Sequence, residues 1–495
     1  MTSTSIRDTI ARNTFWYGLV TVVGLIAGLA MSVVLARGLG PALMGDYSYL
    51  MWLGRTLEAV SMLGFGVALV RFSAASIAQG EPAVARGVIT LLNRWQLASA
   101  TLVATVTIVL ALALAPENLR WPIVVGAVAL VPATTESLYM RATYGAQRYD
   151  LTAQISTIKM ALLLTISIAA VLMGGGVLGI VVGLALGGLV SCALQTRRAL
   201  ALYPREPAPV PPALRTELRQ YLISFSIVCA LEALVWDRSE ILFLKLWLPS
   251  QDVAFYSLAF GLASRAMILP AIFVGVLLPA FAALHGAGDD REFGRVYRTS
   301  LRSVALVGAP IAAVIAGVAP ALVDLLYGPV YSPVVSLFRV LVGVSLLGVL
   351  RDVAWAALRA TGDRRTALSA TVVTAVVDLA LAAALIRTYG TGGAVAANTV
   401  AQLTVSVWAF VAIQRMKRAG FPVRDLVRIA VASALALLVS STATASHGTL
   451  LLALGTAAGF GAYALACVLL GAVNGHDWML LRASSRRIAS FWARA

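Results

Sequence analysis

Long apolar runs, interrupted by glycine, proline or clustered charge, dominate this chain from end to end. A helix needs roughly 20 apolar residues to cross a hydrocarbon layer about 30 Å thick, and runs of that order recur throughout. From the N-terminus they cover 14–36, 47–72, 95–115, 122–140, 155–173 and 177–194. After a polar stretch at 203–219 containing Pro204, Pro207, Pro209, Pro211 and Pro212, they cover 221–248, 255–284, 304–320, 334–358, 367–386, 392–413, 429–444 and 450–472. The pattern predicts fourteen transmembrane helices. The first run is too long for a signal-peptide core and reads as a retained span.

Basic residues collect in cytoplasmic loops, so a wrong number of spans would scramble their alternation. With the N-terminus in the cytoplasm, 29 of the 38 Lys and Arg fall on the cytoplasmic side, among them Arg197, Arg198, Arg291, Arg295, Arg364 and Arg365. Four lie in outer loops (Arg37, Arg120, Lys245 and Arg387), and five lie within spans (Arg55, Arg238, Arg265, Arg339 and Arg351). Both termini are then cytoplasmic, and all the outer loops are short.

Composition agrees with this reading. Only 12% of the 495 residues are charged and 60% are hydrophobic, with a mean hydropathy of +0.88. Soluble proteins carry roughly 25% charged residues, so a soluble enzyme is excluded. The net charge of +16 would suggest nucleic acid in a soluble chain, but here it follows from the basic loops and implies no nucleic-acid partner. Cys192, Cys229 and Cys467 lie in apolar runs and read as small core residues. His285, His447 and His476 are scattered, so no metal site is expected. No P-loop, selectivity-filter pattern or cofactor motif occurs.

Three blocks repeat in order. LGPALMGDYSYL around Tyr47 matches LPSQDVAFYSLAF around Tyr256, RATYGAQRYDLTAQ from Arg141 matches RATGDRRTALSAT from Arg359, and GGVLG from Gly175 matches GGAVA from Gly392. The unit holds six spans, an even number, so its copies share one orientation. The expected architecture is an all-α polytopic membrane protein: six-helix bundles at 1–202 and 220–420 around a central cavity, a proline-rich cytoplasmic linker at 203–219, and two peripheral helices with a basic tail at 421–495.

Ionisable groups in hydrocarbon cost at least about 2.5–3.5 kcal/mol on insertion scales and should face partners or a wet cavity. Arg55 and Arg265 hold nearly equivalent positions in the two repeats, which aims both at the cleft, where guanidinium forks suit a diphosphate. Glu58, Arg238, and Glu232 with Trp236 and Glu240 at four-residue spacing on one face of span 7 complete the candidate cavity set. Trp52 and Trp236 are the candidates for stacking on a sugar. Asp378, midway along span 11, is a candidate for coupling to H+ or Na+. Each charge reads equally as a helix-packing partner, and the arginines as snorkelling residues.

The opening NTFWYGLVTVVGLIAGLAMSVVLARGLGPALMGDYSYLMWL, the following LGFGVALVRFSA, DRSEILFLKLWLPSQDVAFYSLAF at spans 7 and 8, and LRATGDRRTAL after span 10 resemble the Wzx-type polysaccharide flippases. These belong to the multidrug/oligosaccharidyl-lipid/polysaccharide exporter superfamily. The resemblance implies a non-enzymatic flippase of the bacterial cytoplasmic membrane. Its implied cargo is an undecaprenyl-diphosphate-linked oligosaccharide for surface polysaccharide, moved by alternating access among membrane lipids. Cation coupling and association with a polysaccharide polymerase and glycosyltransferases come with it. A cation-coupled exporter of small molecules from the same superfamily is the alternative, and a membrane glycosyltransferase or polymerase the third reading.

Overall fold

The computed structural model describes residues 3–62, 64–236, 238–417, 420–443 and 449–473, with side chains described except at 3–15, 17, 224–225, 227–236, 364 and 443. Its long elements are helices, and among the described residues the apolar runs fall largely within them, interrupted by short breaks. In chain order these are α1 (Ser3–Met62), α2 (Phe65–Ala78), α3 (Pro82–Leu114), α4 (Glu117–Gly145), α5 (Tyr149–Leu172), α6 (Gly176–Leu200), α7 (Pro212–Trp236), α8 (Glu240–Trp247) and α9 (Ser250–Ala266). Then follow α10 (Ile268–Gly275), α11 (Leu277–Gly286), α12 (Asp290–Gly317), α13 (Ala319–Tyr327), α14 (Pro333–Thr361), α15 (Arg364–Lys417), α16 (Val423–Ala443) and α17 (Thr449–Leu469).

Ten helical segments among the described residues are long and apolar enough to cross a membrane, two of them with 45 and 53 residues. At a rise of about 1.5 Å per residue, the shorter of these would reach about 68 Å, more than twice the hydrocarbon thickness. Each therefore makes two crossings, turned at a glycine outside helical geometry: Gly40 (φ 74°, ψ 172°) in α1 and Gly390 (φ 58°, ψ −136°) in α15. Glycine adopts such angles without a Cβ clash, and Pro41 further disfavours helix at the residue before it. Large apolar side chains such as Leu102 and Val109 are 66% and 60% exposed, the expected outcome where lipid rather than water is the solvent.

The chain forms two compact units, one of residues 1–257 with 378–394, the other of 258–377 with 395–495. In the first, Leu69, Phe72, Ile89, Leu92, Leu138 and Leu218 knit α2, α3, α4 and α7 together, while Leu50, Leu119, Val177 and Val181 form a separate cluster. Small residues of α6 let α5 approach closely: a Cβ at Gly183 would fall 2.1 Å from Ile166. In the second unit, Val314 of α12 packs with Ile429, Ala432 and Ala436 of α16 and Tyr463, Ala466 and Cys467 of α17.

Candidate functional site

The first unit contains a cavity of about 250 Å³ between α1, α4, α5 and α6. Most of its wall is apolar, from Leu50, Leu57, Ile123, Leu163 and Leu184, and four ionisable residues enter it: Arg55, Glu58, Glu136 and Lys159. Three have local partners. Glu58 accepts from Ser137 Oγ, and Glu136 accepts from Lys159 Nζ at 2.8 Å and from Ser191 Oγ at 2.6 Å. Arg55 makes only a 3.4 Å bond from Nε to the Met51 carbonyl and has no carboxylate partner among the described residues. Its charge is therefore available to a ligand.

A second constellation forms where span 7 breaks. α7 ends at Trp236 and α8 begins at Glu240, with Arg238 between them at φ 58°. That left-handed conformation is uncommon for a residue with a side chain, and discontinuous membrane helices gather ion and substrate contacts. The break corrects one sequence expectation: helical register does not run through Arg238, so Glu240 does not continue the row of Glu232 and Trp236. The side chains of Glu232 and Trp236 lie outside the described residues. Glu240 is instead fully buried, Ser239 donates to Asp378 Oδ2 at 2.5 Å, and the Glu240 carboxyl meets both Asp378 and buried Tyr256. Two carboxyl groups from distant parts of the sequence thus share one buried pocket with two hydroxyls.

Three turn regions of the same unit are joined by a third cluster. Asp46, 5% exposed, accepts from Lys245 Nζ and Ser250 Oγ, both at 2.6 Å, and from Asn118 Nδ2 at 3.1 Å. Lys245 Nζ lies 2.5 Å from Ser250 Oγ. Only glycine at position 45 permits this approach, because a Cβ there would fall 1.6 Å from the Ser250 carbonyl oxygen.

Arginines of the second unit are engaged differently. Arg351 donates to Asp352 Oδ1 at 2.7 Å and to Gln402, Arg339 to the Ala316 carbonyl at 3.0 Å, and Arg302 to the Ala472 carbonyl at 2.7 Å. Arg265, half-buried near the end of α9, folds back over Gly261, placing Nη1 2.9 Å from where a Cβ there would be. A groove of about 810 Å³ runs along the second half of α15, lined by Val400, Leu403, Val407 and Trp408, with Asp363, Thr366 and Arg415 also on its wall.

Of the sequence candidates, Arg55 and Glu58 come together on one cavity wall, while Arg238 and Asp378 belong to the separate pocket at the break. Trp52 is 7% exposed and tilted against Tyr49, so it presents no face to a sugar. Lys159 was missed. Its position near the head of an apolar run reads as loop, but it lies inside α5 and pairs with Glu136. The visible signal was Glu136 itself, an intramembrane acid in need of a cation.

The model of a family described as "Polysaccharide biosynthesis protein" matches residues 34–336, and that of "Lipid II flippase MurJ" matches residues 250–460. No curated protein sequence matches significantly. Among solved structures, the fold resembles a lipid II flippase MurJ in an inward closed conformation (TM-score 0.74, 10% identity, 92% of this chain and 98% of that one covered). It also resembles an inward-facing multidrug resistance MATE family transporter of the MOP superfamily (0.66, 15% identity, 79% and 95%). A third likeness is the Vibrio cholerae MATE transporter VcmN in its bent form (0.56, 15% identity, 83% and 98%).

Proposed function

Because the chain belongs to the polysaccharide biosynthesis protein family, within the fold shared by MurJ and MATE transporters, we propose that it carries a polyprenyl-diphosphate-linked oligosaccharide across the bacterial cytoplasmic membrane for surface polysaccharide. The observation that carries this reading is Arg55, a guanidinium projecting into a membrane-embedded cavity without a carboxylate partner. A cation at membrane depth with no carboxylate beside it is costly unless a ligand supplies the counter-charge, and a guanidinium fork binds phosphate oxygens in bidentate fashion. The Lys159–Glu136 pair is neutral as a unit, and the Glu58 carboxylate is engaged by the Ser137 hydroxyl rather than by Arg55. About 250 Å³ suits a diphosphate and excludes an oligosaccharide, so the glycan extends out of this cavity while its charged head is held.

Translocation then proceeds by alternating access of the two six-span repeats at 1–202 and 220–420, with both termini and the 203–219 linker in the cytoplasm and 421–495 peripheral. By repeat symmetry Arg265 is the counterpart of Arg55 in the second repeat. The Asp46–Lys245 cluster, on the side opposite the linker, holds the outer end shut and must part for release. The Glu240–Asp378 pocket is the coupling site: two carboxyl groups and two hydroxyls hold a proton or, when ionised, bind a monovalent cation such as Na+. A polymerase and glycosyltransferases would consume and supply the cargo.

That buried acidic pair also favours a second reading, cation-driven export of small organic molecules. Purified protein in liposomes separates the two. Movement of a fluorescent polyprenyl-diphosphate sugar between leaflets supports the flippase; efflux of organic cations without lipid movement supports the exporter.

A further inference from the structure

The start of α7 divides cleanly by face. Leu214, Leu218, Tyr221 and Leu222 pack into the cluster with α2, α3 and α4. Glu217 turns to Arg71, 3.3 Å away, whose guanidinium lies over the rings of Phe72 and Tyr221. This arrangement leaves Arg215 and Arg219, one turn apart, exposed on the outward face. They border a hollow of about 560 Å³ whose remaining walls are Thr216, Gln220, Ile223 and Trp95 of α3. No carboxylate lines it, and among the described residues neither guanidinium has an ion-pair partner.

Depth decides what such a hollow meets. Trp95 opens the third apolar run and Ile223 lies at the head of the seventh, so the hollow sits where the chain passes from water into hydrocarbon. Tryptophan favours that level, and lipid phosphates lie there. Two guanidiniums about 6 Å apart at Cβ can each take a phosphate edge, and the half-buried indole with Ile223 gives an apolar lip for the chain below. A free phosphate would gain nothing from that lip.

We propose that this hollow is a lipid-phosphate site on the linker side of the membrane, separate from the Arg55 cavity. It takes either the diphosphate of the arriving carrier lipid or the headgroup of an anionic phospholipid. The carrier's identity rests on the flippase reading; the phosphate chemistry rests only on Arg215, Arg219 and Trp95.

Full-length protein in neutral detergent is titrated with undecaprenyl diphosphate and, separately, with phosphatidylglycerol, and bound lipid is counted by native mass spectrometry. The comparison is between wild type, R215Q/R219Q, and R205Q, which removes an exposed linker charge outside the hollow. At about 1 kcal/mol per surface arginine, the double variant should lose about tenfold or more in affinity while R205Q matches wild type. Loss for undecaprenyl diphosphate alone assigns the carrier, loss for phosphatidylglycerol alone assigns the phospholipid, and loss for both makes the hollow a general lipid-phosphate site. Unchanged affinity in both arms, or an equal loss in R205Q, overturns the proposal. Since binding and not translocation is read, a protein that binds here but moves no lipid refutes the flippase reading and leaves the site intact.

Discussion

Intramembrane charge serves different ends in the two units. In the second, Arg339 donates to the Ala316 carbonyl of α12 and Arg351 to Gln402 of α15 and to its own neighbour Asp352, while Arg302, just before a span, donates to the Ala472 carbonyl, so each guanidinium is engaged in holding the bundle together. In the first, charges converge on a cavity whose acids have local donors, and among the described residues Arg55 makes only a backbone contact. An arginine inside a span is therefore not a site by itself. What distinguishes a ligand-binding cation from a structural one is whether its donors are already spent.

Substitutions that remove one partner from a buried pair should break this contrast most forcefully. Lys245→Ala strands the Asp46 carboxylate, and thermal unfolding in detergent should register a loss of about 3–5 kcal/mol. The Asp46→Asn/Lys245→Met double variant should recover most of it and, with the outer end loosened, raise the rate of release. An equal loss in the double variant would mean that packing, not the ionic contact, holds those turns.

Next in size, Arg351→Ala forfeits bonds to Asp352 and Gln402 and should cost about 2–3 kcal/mol, with translocation per folded molecule retained. Loss of translocation at unchanged stability would move Arg351 into the functional set. Asp378→Asn keeps an acceptor for Ser239, so stability should shift by less than about 1 kcal/mol. The acceleration of lipid movement by an imposed H+ or Na+ gradient should vanish; its persistence removes Asp378 from coupling.

The smallest effect belongs to Asp363, which starts α15 by accepting from the Thr366 backbone N–H at 3.1 Å and hydroxyl at 2.6 Å. Those bonds hold its carboxyl below the usual range. A carboxyl lowered on folding stabilises above its ordinary pKa and loses that contribution as pH falls through the lowered value. Acid titration of wild type should therefore show a slight destabilisation in that window that Asp363→Ala lacks.

How far the sequence foretold this molecule follows from the range of each interaction. The polytopic helical architecture was legible because the bilayer imposes a length on each crossing independently of its neighbours. The two turns within α1 and α15 were marked by glycine, with Pro41 beside one of them. The break in span 7 carried a weaker mark, the run Asp237-Arg238-Ser239-Glu240 in apolar surroundings, without glycine or proline to announce it. Pairings were not legible: Ser239 meets Asp378 across 139 residues and Lys245 meets Asp46 across 199, contacts that exist only once helices pack. Lys159 escaped because a lysine near the head of an apolar run counts with the loop before it until an acid is found beside it.

The central claim is that Arg55 is free to bind cargo rather than employed in the fold. Its most direct test places Arg55→Ala in liposomes beside wild type and measures leaflet exchange of a fluorescent polyprenyl-diphosphate sugar together with thermal stability. The account predicts unfolding within about 0.5 kcal/mol of wild type, as for a residue outside any structural network, and exchange reduced to the protein-free rate. Exchange at the wild-type rate in a stably folded Arg55→Ala protein would contradict it.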